Sequence, residues 1–139
     1  MNDKTRRLQF SLIAERFSIV RLPPDAAIPP WAIRRAFFSV TRTGEELSVV
    51  TAASNVPEGF SQPTQWRALK VHGPFELTEV GVLAAITAPL ADVGISIFVI
   101  STFDTDYLLV RSEQFRAAVL TLEAAGHVVE HGEPAVQGI

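Results

Sequence analysis

Residues 73–110, GPFELTEVGVLAAITAPLADVGISIFVISTFDTDYLLV, decide the fold. Apolar residues recur at helical spacing from about residue 78 to Leu90, so this segment predicts a helix that ends at Asp92-Val93-Gly94. Pro89 removes one backbone donor from the predicted helix, which indicates a kink or a restart there. Residues 95–101 are β-branched and aromatic and predict a central strand, with residues 107–111 as its partner.

The segments on either side extend this order of elements. Upstream, residues 66–73 predict a strand. Downstream, Ser112 is placed to cap a helix whose Phe115, Val119 and Leu122 share one face, and Gly126 is placed to stop it before a last strand at residues 127–130. The order strand, helix, strand, strand, helix, strand predicts an α+β, ferredoxin-like (βαββαβ) fold, an antiparallel sheet with both helices on one face.

The first half of the chain is less regular. Residues 8–22 alternate apolar and polar side chains and predict two strands or one long bent strand, and a brief helix is expected at residues 31–35. Residues 37–51 predict a hairpin in which Gly44 supplies a positive φ. The Pro- and Gly-containing stretch 53–65 predicts a linker. We therefore predict two tandem units, a degenerate one at residues 1–60 and a complete one at residues 61–139.

Composition narrows the classes of function. The 139 residues carry a net charge of -3, which gives no basic footprint for nucleic acid. There are no cysteines, so disulfides and thiolate metal sites are excluded. No apolar run approaches the roughly 20 residues that span a bilayer, and the N-terminus has no signal-peptide pattern. We expect a cytoplasmic protein that binds neither nucleic acid nor membranes.

Residues 73–110 resemble the ACT domain, a module that regulates aspartate kinases and related enzymes. The resemblance rests on the Gly81-Val82-Leu83 step, on residues 91–95 (ADVGI), and on residues 101–110, STFDTDYLLV. The last motif is similar to one in small bacterial tandem-ACT proteins and in the CASTOR arginine sensors. The resemblance covers residues 66–129 and, more loosely, the hairpin at residues 37–50.

The resemblance implies regulation by a bound amino acid, held at the interface of two ACT units, with no catalysis by the module. It also implies a set of ligand-binding positions, which are Glu79, Gly81, Val82, Thr102, Phe103 and Asp106. Asp104 and His72 complete the predicted site. Asp104 occupies a variable position of the motif, and His72 lies at a strand end near the expected pocket.

The chemistry of an amino acid agrees with these residue types. Its α-carboxylate requires backbone donors, which the first turn of the helix near Thr78 offers together with the helix dipole. Its ammonium, or a cationic side chain, requires an acceptor such as Asp106. The competing interpretation is that Asp104 and Asp106 only form a turn and that Glu79 only complements the helix dipole.

Other constellations give weaker hypotheses. His127 and His131 have the spacing of two zinc ligands on a helix, but they begin on a predicted strand. His72, Ser101 and either Asp104 or Asp106 supply the residue types of a hydrolytic triad without a nucleophile motif. No glycine loop for a nucleotide is present. We therefore expect neither a cofactor nor a metal, and no enzymatic activity.

These observations predict a regulatory protein that binds an amino acid or a similar small molecule. We expect a homodimer and a protein partner that the ligand regulates. The alternative is an adaptor that binds no ligand and uses its sheet edges to bind another protein.

Overall fold

The computed structural model describes residues 7–34, 37–72 and 81–130. The chain forms two compact units: an inserted unit, Glu15–Trp66, and a helical unit made of Met1–Ala14 and Arg67–Ile139. The regular elements are β1 (Gln9–Leu22), β2 (Ser39–Arg42), β3 (Leu47–Ala52), β4 (Trp66–Val71), α1 (Val82–Asp92), β5 (Phe98–Ser101), β6 (Asp106–Arg111), α2 (Phe115–Ala124) and β7 (Val128–Glu130). Together they form a mixed α+β protein whose sheet combines antiparallel pairs with the parallel pair β1–β7, which the predicted antiparallel sheet does not include.

The sheet of the helical unit has the strand order β5, β6, β4, β1, β7. β5 and β6 are antiparallel and pair Ser101 with Asp106, whereas β1 and β7 are parallel and pair Ser11 with Glu130. Two features differ from the sequence-based expectation. The start of β1 lies between β4 and β7, and β5 is the terminal strand of this order rather than a central one, which agrees with its half-buried side chains.

The core of the helical unit lies between this sheet and the two helices. α1 buries a stripe of residues at helical spacing, Val82, Ala85, Ile86 and Leu90. Leu83 is 38% exposed, because the buried stripe runs through Val82, Ile86 and Leu90, which are spaced four apart. The remaining core residues include Leu8, Phe10, Leu69, Val71, Ile95, Leu108, Val110, Phe115, Ala118, Val119, Leu122 and Val129.

α1 continues through Pro89 because a histidine from another element replaces the missing donor. Proline has no N–H, so it cannot bond to the carbonyl of Ala85 four residues earlier. The buried His127 places Nε2 3.0 Å from that carbonyl oxygen, while its Nδ1 accepts the N–H of Leu8 at 3.0 Å. Since Nδ1 accepts, the network assigns the proton to Nε2, and this neutral ring satisfies both neighbours.

Glycines end both helices as predicted, whereas the predicted N-cap of α2 does not form. Gly94 and Gly126 have φ angles of 77° and 100° just after α1 and α2. Ser112 does not cap α2. It begins a short 3-10 turn, Ser112–Gln114, and its buried hydroxyl has no hydrogen-bond partner. α2 starts at Phe115 with Gln114 as its N-cap, two residues later than a cap at Ser112 would place it.

The inserted unit is built on the second half of β1. Phe17 to Leu22 pair antiparallel with β3, and β3 pairs with β2 in the predicted hairpin. A short 3-10 helix, Pro30–Ile33, occupies the position of the predicted brief helix, and no α-helix occurs in the described residues of this unit. Its core comprises Val20, Leu22, Ala32, Leu47 and Val49.

The turn of this hairpin does not depend on a left-handed glycine. Gly44 is not among the glycines with positive φ. The Thr43 hydroxyl instead accepts the N–H groups of Glu45 and Glu46 at 3.1 and 3.2 Å, and the Thr43 N–H donates to the Glu46 carbonyl at 2.9 Å. The side chain of threonine therefore organises the turn, as Ser and Thr do in ST-turns.

Candidate functional site

The β5–β6 turn, residues 102–105, carries three of the predicted site residues, and Asp106 follows it directly. Thr102 closes it: its N–H and its hydroxyl both donate to the Thr105 carbonyl, at 2.8 and 3.0 Å, and the hydroxyl accepts the Thr105 N–H at 3.2 Å. The turn-forming role that competes with ligand binding thus belongs to Thr102. Asp104 is exposed and makes no hydrogen bond within the described residues.

A buried threonine ties this turn to the neighbouring strand β4. The Thr105 hydroxyl donates to the carbonyl of Val71 at 2.6 Å, and Thr105 is only 6% exposed. Val71 is the last residue of β4. The turn is therefore fixed at the end of β4 from which the chain continues toward α1.

Asp106 follows the turn and is held by its partner across the hairpin. Ser101 and Asp106 are register partners, and the Ser101 hydroxyl donates to Asp106 Oδ1 at 2.6 Å. This length is that of a charge-assisted O–H···O⁻ bond. Asp106 is half-buried, and within the described residues its Oδ2 accepts no hydrogen bond. The carboxylate thus keeps one oxygen for a further donor.

Phe103 projects from the tip of the same turn. Its side chain is 77% exposed, the highest value among the large hydrophobic residues that the structure describes as exposed. At this exposure the apolar ring is mostly surrounded by water and gains little stabilisation from packing. Phe103 can therefore cover a molecule that approaches the turn, because its ring does not have to leave a packed position first.

The remaining predicted positions lie at the start of α1 or just before it. Gly81 is the N-cap with φ 90° in the left-handed region, and its carbonyl accepts the Ala85 N–H at 3.1 Å. The Val82 side chain is buried in the core, so this residue can offer a ligand only its backbone. Glu79 and the predicted helix start near Thr78 lie outside the described residues.

His72 belongs to a polar cluster on three adjacent strands. Its Nε2 is hydrogen-bonded to the Ser11 hydroxyl and lies 3.9 Å from Glu130 Oε1. The Gln9 amide donates to Glu130 Oε2 at 2.5 Å. We call these four side chains the β1–β7 cluster. The alternation of Gln9 and Ser11 along β1 predicts a polar face, but the insertion of β1 beside β7 is needed to predict their partners.

The geometry supports neither the predicted triad with Ser101 nor a second triad in the β1–β7 cluster. The Ser101 hydroxyl donates to Asp106 and makes no hydrogen bond to a histidine that the structure describes. In the β1–β7 cluster, Ser11 and Glu130 both approach Nε2 of His72, whereas Nδ1 has no partner within the described residues. A relay requires the carboxylate on the other ring nitrogen, where it would orient the base.

His127 is not available to a metal. Both of its ring nitrogens are used inside the protein, by Leu8 and by Ala85, and the residue is 4% exposed. His131, the other half of the zinc hypothesis, lies outside the described residues. Among those described, no group of three metal-binding side chains comes together. None of the helices described there is long and apolar enough to cross a bilayer.

Comparison with known proteins identifies the family. The profile of the ACT domain matches residues 61–124, which include the β5–β6 turn and the start of α1. Residues 61–124 therefore belong to the ACT-domain family. A second profile, described as an N-terminal domain, matches residues 15–59, within the inserted unit.

Relatives of this ACT protein include animal amino-acid sensors. It is 30% identical over 104 residues to the human cytosolic arginine sensor for mTORC1 subunit 1, and 36% identical over 117 residues to the rat protein. These matches cover 67% and 76% of this chain. The chain spans about a third of the length of these relatives, 32% and 35%.

Two solved structures have folds similar to that of the ACT protein. An X-ray structure from Agrobacterium tumefaciens has 38% identity and a TM-score of 0.83, with 91% of this chain and 96% of that chain covered. The aspartate kinase of Clostridium acetobutylicum, described as an allosteric enzyme, has 10% identity and a TM-score of 0.59, with coverages of 84% and 34%. The second likeness concerns the fold alone.

Proposed function

We propose that this protein is a regulatory ACT module that binds an amino acid between the β5–β6 turn and the first turn of α1. The observation that carries the proposal is the carboxylate of Asp106, half-buried, anchored on one oxygen by Ser101 and open on the other. The names of the arginine-sensing relatives support an amino acid as the ligand class.

The two sides of this site have opposite polarity. Asp106 would accept the ammonium or a cationic side chain of the ligand through charge-assisted bonds. The first-turn amides of α1, which have no partners within their own helix, would donate to the α-carboxylate in the favourable field of the helix dipole. Gly81 has no side chain, so a ligand can approach this backbone closely. His72, whose partners lie in the β1–β7 cluster, would border the site.

The larger arrangement is also a proposal. We propose that the chain carries two tandem ACT units, the first of them degenerate and with its helices lost, as the sequence division 1–60 and 61–139 predicts. We further propose a cytoplasmic homodimer in which the ligand changes affinity for a protein partner, with no reaction catalysed. The ligand would be held at an interface of ACT units, as the family resemblance implies.

The experiment is a calorimetric titration of the full chain with each of the twenty L-amino acids. We expect at least one to bind, and Asp106→Asn to weaken it about tenfold to hundredfold, since a hydrogen bond to a charged group contributes about 1.5–3 kcal/mol. The matched control is Asp104→Asn, an exposed carboxylate in the same turn without a partner, which should leave affinity within about threefold. Absence of binding by all twenty, or equal losses in both variants, would contradict the proposal.

The alternative function, an adaptor that uses a sheet edge, has one observation in its favour. β5 is the terminal strand of its order, and a terminal strand presents backbone groups to another chain. The two functions differ in thermal melting. An amino acid that binds the native state raises the Tm by an amount that grows with the logarithm of its concentration relative to Kd, and an adaptor shows no such shift with any of them.

A further inference from the structure

We infer that Ser101 is a positioning residue that sets the orientation of the Asp106 carboxylate before any ligand arrives. The inference rests on the proposed function, because it assigns Ser101 a role in the same site. Ser101 is exposed at the end of β5, where its hydroxyl has the whole solvent available, yet it donates to Asp106 Oδ1 at 2.6 Å.

The position of the donor is itself fixed by the hairpin. Ser101 and Asp106 form the last register pair of β5 and β6, and paired side chains of adjacent strands point to the same face. The four-residue turn that follows is closed by Thr102 and anchored to β4 by Thr105. A hydroxyl on so short a side chain cannot follow a moving carboxylate. The bond therefore selects one orientation of Asp106.

Orientation of the carboxylate leaves its second oxygen at a defined place. An aspartate that samples several rotamers loses this freedom on binding, whereas one already held does not. Removing the hydroxyl while keeping the charge should therefore weaken an amino acid by about threefold to tenfold. That loss is smaller than the one expected for Asp106→Asn, because Ser101 acts through Asp106 and does not touch the ligand.

The test compares Ser101→Ala, Ser101→Thr and Ser96→Ala in the full chain. Ser96 is the matched control. It is an exposed serine of the same unit, and its hydroxyl accepts a hydrogen bond from Arg111 rather than donating one to Asp106. Three-bond couplings to Cγ of Asp106, measured by NMR without ligand, report whether that side chain has one rotamer. We expect one rotamer in the native protein and in Ser101→Thr and Ser96→Ala, and averaged couplings in Ser101→Ala.

Binding is then measured with the same panel of twenty L-amino acids. We expect Ser101→Ala to weaken the tightest of them about threefold to tenfold, Ser101→Thr to restore it, and Ser101→Ala to have no further effect once Asp106→Asn is present. Couplings that stay unaveraged in Ser101→Ala overturn the inference, as does an equal binding loss in the Asp106→Asn background. If no amino acid binds the native chain, the proposed function fails, and the couplings still decide whether Ser101 orients Asp106.

Discussion

The two β-hairpins of the chain, one in each unit, are closed by the same device. In both, a threonine begins a four-residue turn, donates its N–H to the carbonyl three residues later and uses its hydroxyl to accept an amide of the turn. The residues are Thr43 and Glu46 in the inserted unit, and Thr102 and Thr105 in the helical unit. The turns thus share a hydrogen-bond pattern although their sequences, TGEE and TFDT, differ.

The hairpins diverge at the residue that follows the turn. Leu47 is fully buried in the core of the inserted unit, opposite Arg42. Asp106 is half-buried and is paired with Ser101. The same structural position therefore supports packing in one unit and presents an anchored charge in the other. This difference is one reason for proposing the ligand site beside Asp106, whereas the equivalent Leu47 belongs to the core of the inserted unit.

The largest expected effect concerns Leu47. Leu47→Ala should destabilise the protein by about 2–5 kcal/mol, because a fully buried leucine leaves a cavity when truncated. Asp106→Ala, at the equivalent position, should change the free energy of unfolding by less than about 1 kcal/mol, because its bond to Ser101 is exposed and water replaces it. Urea denaturation followed by circular dichroism measures both. Similar losses for the two variants would remove the distinction between a packing position and a site position.

The next effect concerns Thr105, the second threonine of the β5–β6 turn. Thr105→Val keeps the shape of the side chain but leaves the buried Val71 carbonyl without its donor, which should cost about 1–3 kcal/mol. Thr43→Val removes turn bonds that are exposed, where water replaces them, so the loss should stay below about 1 kcal/mol. The same denaturation series compares them. A smaller loss for Thr105→Val than for Thr43→Val would show that the bond to β4 does not fix the turn.

The smallest effect concerns Gly44. It lacks a positive φ, and a Cβ added there meets nothing within 4 Å, so Gly44→Ala should be neutral or stabilise by about 0.4–1 kcal/mol through the unfolded chain. Gly126, with φ 100°, is the control, since an alanine there is strained and should lower the Tm. A clear drop in Tm for Gly44→Ala would mean that the turn needs the glycine after all.

Local signals in the sequence predict much of this fold. Gly94 and Gly126 mark the helix ends, and the alternation in residues 8–22 predicts a strand, because caps and side-chain periodicity depend on neighbouring residues. The placement of β1 between β4 and β7 is not predictable in this way. Strand pairing joins residues far apart in the chain, and no periodic pattern specifies which strand lies beside which.

The candidate site shows the same limit. The motif at residues 101–106 predicts one turn that contains Asp104 and Asp106, whereas the structure places Asp104 in the turn and Asp106 at the start of β6. The bond from Ser101 to Asp106 depends on the hairpin register, and the partners of His72 depend on the position of β1. Residue types identify which side chains matter, whereas their partners follow from the three-dimensional pairing.

The relation between Pro89 and His127 restricts which substitutions this sequence can accept at these two positions. The imidazole of His127 donates to the Ala85 carbonyl in place of the amide that Pro89 lacks, so positions 89 and 127, far apart in the chain, depend on the same acceptor. A replacement of His127 would leave the Ala85 carbonyl without a donor, because Pro89 has no N–H. A residue with an N–H at position 89 could bond that carbonyl itself, and the Nε2 donor would no longer be needed. Homologous proteins should therefore exchange these two positions together, and drift at either one alone should be rare.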